Sequence, residues 1–215
     1  MNIYITQNSF YFVHRHFHDI LSKKNTKVIY VIEDKGIFKK MVEIIKFFGA
    51  RNFLKILIGE IFYFLFYVKK IIAVDSIKIH ESILNLKLEE IMNNNRVNRV
   101  ISIGCPTKID TKLQSKFKTK ILNLHGGILP FQKGRFSPIK SIKKGHLIIG
   151  ATIHELSEEF DSGKIITQSY FKVENKDFLF NYSKVIKISR KLLNEYLNNK
   201  ISKIPENYLN RQFMK

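Results

Sequence analysis

Tryptophan is absent, cysteine occurs once, proline four times, and acidic residues are scarce: 18 aspartates and glutamates face 37 lysines and arginines. A single cysteine, Cys105, excludes an internal disulfide framework and a multi-cysteine zinc site, and it fits a reducing compartment. The opening MNIYITQNSFYFVHRHF shows no basic segment followed by an apolar one, so no secretory signal is expected and a cytoplasmic location is. Nor does any apolar run reach the roughly 20 residues that a membrane-spanning helix needs. The nearest approach, FLKILIGEIFYFLFYVKKIIAV, is interrupted by Lys55, Glu60, Lys69 and Lys70. It predicts a buried helix or one packed in a homodimer interface. Stable membrane insertion is not expected, and peripheral membrane contact is the minority reading.

What is present begins with charge. A net charge of +19 on 215 residues raises the question of nucleic acid. Lysine and asparagine are spread along the whole chain beside abundant isoleucine, without a dense basic tract, so biased composition is the better reading and a nucleic-acid partner is not expected. A positive field would still help capture an anionic small molecule. The length suits one domain, with at most a short appendage.

Strand and helix patterns alternate, which predicts βαβ units and a largely parallel sheet. Strands are expected at 2–6, 27–32, 71–74 and 97–103, one or two helices over 37–68, a helix over 82–93, and a closing helix from Phe178 to Leu197. KIITQSYFKV reads as a further strand, and the tail 198–215 is too short for another domain.

The chemistry is concentrated in ILNLHGGILPFQKGRFSP and GATIHELSEEFDSGKII. An apolar strand delivers Asn123 and His125 to its carboxyl end, where open α/β sheets bind ligands. Asp161 follows the next apolar run in the turn-forming Asp161-Ser162-Gly163. An amide, an imidazole and a carboxylate in one crevice suit acyl transfer to an amine: one group takes a proton, one meets the oxyanion, one orients the base. His125 is the candidate base, Asn123 the oxyanion donor and Asp161 the orienting group. Gly126 and Gly127 let a ligand approach the backbone. Plainer readings stand beside these: Asn123 as a loop cap, Asp161 as an Asx turn, and His154 as a strand residue near the site. His14, His16 and His18 alternate at i, i+2, which does not place neighbours on one helix face, so they read as surface or substrate-proximal residues and not as a metal site.

These motifs resemble the folate-dependent formyltransferases, and among them the small sugar N-formyltransferases. The resemblance rests on Asn123-Leu124-His125-Gly126-Gly127, Leu129-Pro130, Lys133-Gly134-Arg135, Gly150-Ala151-Thr152-Ile153-His154 and Asp161-Ser162-Gly163, and is good from about 100 to 171. It implies an α/β, Rossmann-like formyltransferase fold: a mostly parallel twisted sheet with flanking helices and a short C-terminal helical appendage. A catalytic domain over 1–176 and a helix and tail over 177–215 are expected. The resemblance also implies 10-formyltetrahydrofolate as formyl donor, no metal, and a nucleotide-linked amino sugar, such as dTDP-4-amino-4,6-dideoxyglucose, as acceptor, with products bound for O-antigen or lipopolysaccharide.

Folate contacts are implied for Cys105, Pro106, Thr107 and Ile109, and for Glu158 and Asp161. Substrate contacts are implied for Asn8 and Ser9 with Gly126 and Gly127; an ordinary turn and N-cap is the rival reading at Asn8-Ser9. Methionyl-tRNA formyltransferases add a C-terminal tRNA-binding domain, for which the residues after the last strand are too few. The alternatives are glycinamide ribonucleotide as acceptor, or a basic binding module without activity. Two departures from the family pattern are Phe131-Gln132-Lys133-Gly134, where an aromatic-basic-Gly is common, and Gly126, where purine-pathway members carry proline.

Overall fold

The computed structural model describes residues 1–34, 36–72, 74–175 and 177–213. In chain order the elements are β1 (Asn2–Gln7), α1 (Arg15–Leu21), β2 (Thr26–Ile32), α2 (Ile37–Phe48), α3 (Ala50–Ile72), β3 (Ser76–His80), α4 (Leu84–Asn94), β4 (Arg99–Ile103), α5 (Lys112–Phe117), β5 (Ile121–His125), α6 (Ser137–Lys143), β6 (Ile148–Glu155), β7 (Ile165–Lys172), α7 (Phe178–Leu197) and α8 (Glu206–Phe213). A seven-stranded sheet runs β3-β2-β1-β4-β5-β6-β7. β1 pairs in parallel with β2 and β4, and β2 with β3, whereas β6 and β7 are antiparallel. The expected α/β fold with a mostly parallel sheet is what the chain adopts. By internal packing it divides into two compact units, Met1–Leu122 and Asn123–Lys215.

In the first unit, β1 and β2 are apolar runs because helices cover both faces of a parallel sheet. Ile3, Tyr4 and Ile5 are buried, as are Val28, Ile29, Tyr30 and Val31. The strand expected at 71–74 is a correction. α3 carries its apolar period through Ile72, Ala73 lies outside the described residues, and the strand is Ser76–His80 instead. Asp75 sets its start: the Asp75 carbonyl accepts from the Val28 N–H and its carboxylate pairs with Lys27 at 3.0 Å.

Two helices fill the 37–72 region, separated at Gly49, whose φ of +83° ends α2. The buried-helix reading of this stretch also needs correcting. Ile56 is buried, but Leu54, Ile58, Ile61, Phe62 and Leu65 of α3 are each more than half exposed. Among the described residues no helix is long and apolar enough to cross a membrane.

In the second unit, β6 is almost wholly buried and pairs along its length with β7. Gly150 permits that pairing, since a Cβ there would overlap the Ser169 carbonyl. Asp177 caps α7 by accepting from the Phe180 N–H at 2.9 Å, and α7 buries Val185, Leu192 and Leu193. Leu209 of α8 and Ile204 before it join Ile128 and Ile148 in one apolar cluster, on which Phe131 and Phe213 stack at 4.6 Å between ring centroids.

Candidate active site

All of the proposed reacting side chains lie in the second unit. β5 ends at His125, which is buried, and Asn123 lies two residues earlier on the same strand. β6 brings in His154, also buried, and the loop after β6 brings in Asp161. Asp161 adopts φ +54°, a left-handed conformation that Asp tolerates better than most residues. Its Oδ2 accepts from the Gly134 N–H at 2.7 Å, and Lys133 Nζ donates to Ser162 Oγ at 2.8 Å. The basic-Gly loop and the Asp-Ser-Gly loop therefore clasp each other.

Hydrogen bonds assign the imidazole protons. His125 Nε2 lies 2.6 Å from the Gln132 carbonyl, which can only accept, so Nε2 carries the hydrogen. Ser137 Oγ stands 3.3 Å from the same nitrogen and donates its own proton to the Gly126 carbonyl at 2.6 Å. The lone pair of neutral His125 is thus on Nδ1, 3.4 Å from Asp161 Oδ1.

His154 Nδ1 donates to the Glu155 carbonyl at 2.9 Å, leaving Nε2 to accept from Asn123 Nδ2 at 3.1 Å. His154 Nε2 is also 3.6 Å from Asp161 Oδ1. One carboxylate oxygen thus faces two imidazole nitrogens, and either would donate to it on taking a proton.

The electrostatics agree with that geometry. Burial pulls the His125 pKa below 6.5 and His154 adds to the fall, while Asp161 and the Gln132 carbonyl oppose it. Burial pushes the Asp161 carboxyl upward, but His154, His125 and the Gly134 N–H outweigh it and hold the group below 3.8. The resting state is a neutral base beside an ionised carboxylate. Asn123 has two amide hydrogens and commits one to His154, leaving one for an oxyanion. Chemically the set can receive a proton at Nδ1 and meet negative charge on a carbonyl oxygen, which fits a formyl donor. Among the described residues no group of His, Cys, Asp or Glu side chains is arranged to hold a metal ion.

Two supporting residues escape sequence reasoning. Gln132, noted only as a departure, is buried: its Nε2 donates to the Ile148 carbonyl at 2.8 Å and its Oε1 accepts from the Ile128 N–H at 3.0 Å. Gln168 of β7 donates to the Leu129 carbonyl at 2.8 Å and to Thr152 Oγ1 at 3.2 Å, and Thr152 in turn donates to the Gly127 carbonyl at 2.7 Å. A lone glutamine within the strand pattern of β7 is the sole sequence hint of Gln168, and Gln132, between Phe131 and Lys133, carries none. His154 belongs to the cluster, in keeping with its reading as a strand residue near the site. Gly127 is pressed against the Gln132 carbonyl, Ser137 Oγ and His125 Nε2, and Gly126 has ordinary room beside Val185 and Pro138. Glu158 is exposed in the loop after β6.

The remaining residues singled out in the sequence lie in the first unit. Cys105, Pro106 and Thr107 are half-buried after β4, and Ile109 is buried. Asn85 of α4 pins this loop, accepting from the Asp110 N–H at 2.8 Å. Burial pushes the Cys105 thiol up to about 12, so it stays protonated and is no nucleophile. Ser9 is buried, donates to Glu60 Oε1 at 2.5 Å and accepts from the Phe12 N–H at 3.1 Å, as a capping serine does. Asn8 is exposed and its Oδ1 lies 3.1 Å from His14 Nε2. His14 is a further correction: it is buried, and burial beside His18 and Lys78 lowers it to about 4.

Residues 81–192, more than half the chain and all of the motif region, match the family described as formyl transferase. The chain belongs to the formyl transferase family. Within this family, a methionyl-tRNA formyltransferase of Borrelia garinii is 32% identical over 123 residues, 53% of this chain and 38% of the relative. A dTDP-4-amino-4,6-dideoxyglucose formyltransferase of Mycobacterium bovis is 30% identical over 104 residues, 48% of this chain and 43% of the relative. This formyl transferase chain spans less than half the length of either. Among solved structures, a phosphoribosylglycinamide formyltransferase from Streptococcus pneumoniae shares the fold, with a TM-score of 0.63 at 16% identity over 92% of this chain and 97% of that one.

Proposed function

We propose that the protein transfers a formyl group from 10-formyltetrahydrofolate to the amino group of a nucleotide-linked amino sugar, with dTDP-4-amino-4,6-dideoxyglucose as the first acceptor to test. The observation that carries this reading is the Asn123–His125–Asp161 cluster, with its proton pattern, in a chain of the formyl transferase family. The sugar as acceptor is supported by the Gly126-Gly127 form of the motif and by the similarity to the Mycobacterium bovis sugar enzyme.

The folate supplies an activated formyl group on nitrogen; the chain's residues do the rest. As the amine nitrogen bonds to the formyl carbon, Asn123 meets the oxygen with its second N–H. His125 takes the displaced amine proton on Nδ1, and Asp161 Oδ1 draws in to accept the new N–H and stabilise the imidazolium. The same proton then passes to the departing folate nitrogen, so the site ends as it began. Gln132 keeps the other ring nitrogen occupied throughout. Cys105, Pro106, Thr107, Ile109 and Glu158 are assigned to the folate, and Asn8, Ser9, Gly126 and Gly127 to the acceptor, through the motif resemblance. In this reading the reaction is cytoplasmic and its product goes to surface polysaccharide such as O-antigen.

The test is incubation of the purified protein with 10-formyltetrahydrofolate and separate amines, following the mass of each acceptor. A formyl adduct on a dTDP- or UDP-linked amino-dideoxyhexose supports the reading. Formylation of glycinamide ribonucleotide alone replaces the acceptor, and no adduct on any amine removes the proposed activity.

A further inference from the structure

We propose that the exposed apolar sides of α2 and α3 seat on an anionic lipid surface. The apolar residues recur at helical spacing. Phe38 and Val42 lie four residues apart on α2, and Ile58, Ile61, Phe62 and Leu65 follow the i, i+3, i+4, i+7 pattern on α3; exposures run from 49% to 76%. These side chains are surplus to the core of their unit. The helices already bury Phe48 and Ile56 inward, and Gly59 lies against the Tyr11 ring. Exposed apolar stripes of this kind on two neighbouring helices mark a contact surface.

Charge selects the occupant. Between residues 37 and 72 lysine and arginine outnumber glutamate seven to two. Lys39, Lys46, Arg51 and Lys55 are exposed around the apolar residues, whereas Glu60 is drawn to Ser9 Oγ. A second copy would bring these cations against their own counterparts, on a chain whose net charge is already +19. A bilayer with acidic headgroups complements both features: aromatic and aliphatic side chains enter the headgroup–acyl boundary, and the lysine stems extend their ammonium groups to the phosphates. No helix among the described residues is long enough and apolar enough to cross, so the proposed contact is with the bilayer surface. This inference is independent of which amine is formylated.

Vesicle flotation with the full chain tests it. Vesicles of phosphatidylcholine with phosphatidylglycerol should carry the protein, vesicles of phosphatidylcholine alone should not, and added salt should release it. Ile58→Glu with Phe62→Glu should lower the bound fraction about tenfold or more, because two apolar anchors become repulsive charges. Both sites are exposed, so the circular dichroism spectrum and lipid-free turnover should be unchanged. Lys39→Ala with Lys46→Ala and Arg51→Ala should weaken binding without touching the apolar face. Undiminished binding by the double glutamate variant overturns the proposal, as does equal binding to neutral vesicles. A stable lipid-free dimer that the same glutamates dissociate overturns it in favour of a second copy.

Discussion

His125 turns Nδ1 toward Asp161 Oδ1 at 3.4 Å because the Gln132 carbonyl holds Nε2 at 2.6 Å. That separation is longer than the roughly 2.7–2.9 Å of a charge-assisted N–H···O bond. It is the spacing of a lone pair facing a carboxylate, with room to close once a proton arrives. A buried imidazole in this setting is a weak base at rest and a stabilised cation during turnover, which is the property a transient proton store needs.

The pH dependence follows directly. Burial holds His125 below 6.5, so the acid limb of kcat/KM should lie under that value. Asp161 opposes burial, so Asp161→Asn should move the remaining limb further down and cost about 10²–10⁴ in kcat. Asn tolerates the positive φ at this position, which keeps the loop intact. The same depression sets a stability trend: below pH 6.5 the unfolded chain takes the proton first, so folding weakens as pH falls toward the folded value. Rate profiles and acid melts of both proteins test this; an upward move of the limb in the variant removes Asp161 as partner of the base.

Adjacent glycines should behave differently. Gly127→Ala places a methyl against the Gln132 carbonyl, Ser137 Oγ and His125 Nε2, and should cost about 1–3 kcal/mol along with most turnover. Gly126→Ala meets Val185 Cγ1 at 3.4 Å and Pro138 Cγ at 3.9 Å, ordinary contacts, and should melt close to the parent. Thermal unfolding of the pair checks the contrast, and equal losses would contradict it.

Gln132 should act through His125. Gln132→Leu strips partners from the buried Ile128 N–H and Ile148 carbonyl, which should cost about 1–3 kcal/mol for each group left unpaired. Because its own carbonyl anchors the imidazole, kcat should fall and the acid limb shift while KM for the folate changes little. A loss confined to KM would assign Gln132 to ligand contact instead.

Asn123→Ala should lower kcat by about 10²–10³, the usual cost of one oxyanion donor. His154→Phe keeps the ring volume but releases the Asn123 amide from its 3.1 Å hydrogen bond. It should give a smaller kcat loss with little change in KM. If His154→Phe instead matches Asn123→Ala, His154 shares in the proton chemistry.

Much of the architecture is legible in the sequence. β1, β2, β4 and α7 stand where apolar runs and helical spacing place them, because those patterns report local backbone geometry and burial. Asn123, His125 and Asp161 were legible through turn chemistry and motif order. β3 was misplaced because the apolar 71–74 run satisfies helix and strand alike, and the pairing of Asp75 with Lys27 is non-local. The exposure of Ile58 and Phe62 was hidden for a related reason: an apolar stripe looks the same in sequence whether or not something covers it.

By itself the sequence determined the alternation of strands and helices, the strand that presents Asn123 and His125, and the family to which those motifs belong. Only the tertiary structure decided that the Gln132 carbonyl takes His125 Nε2 and that His154 takes the Asn123 amide across 31 residues of chain. Periodicity is a property of neighbours along the backbone. Which lone pair faces which proton is a property of side chains that meet only once the chain has folded.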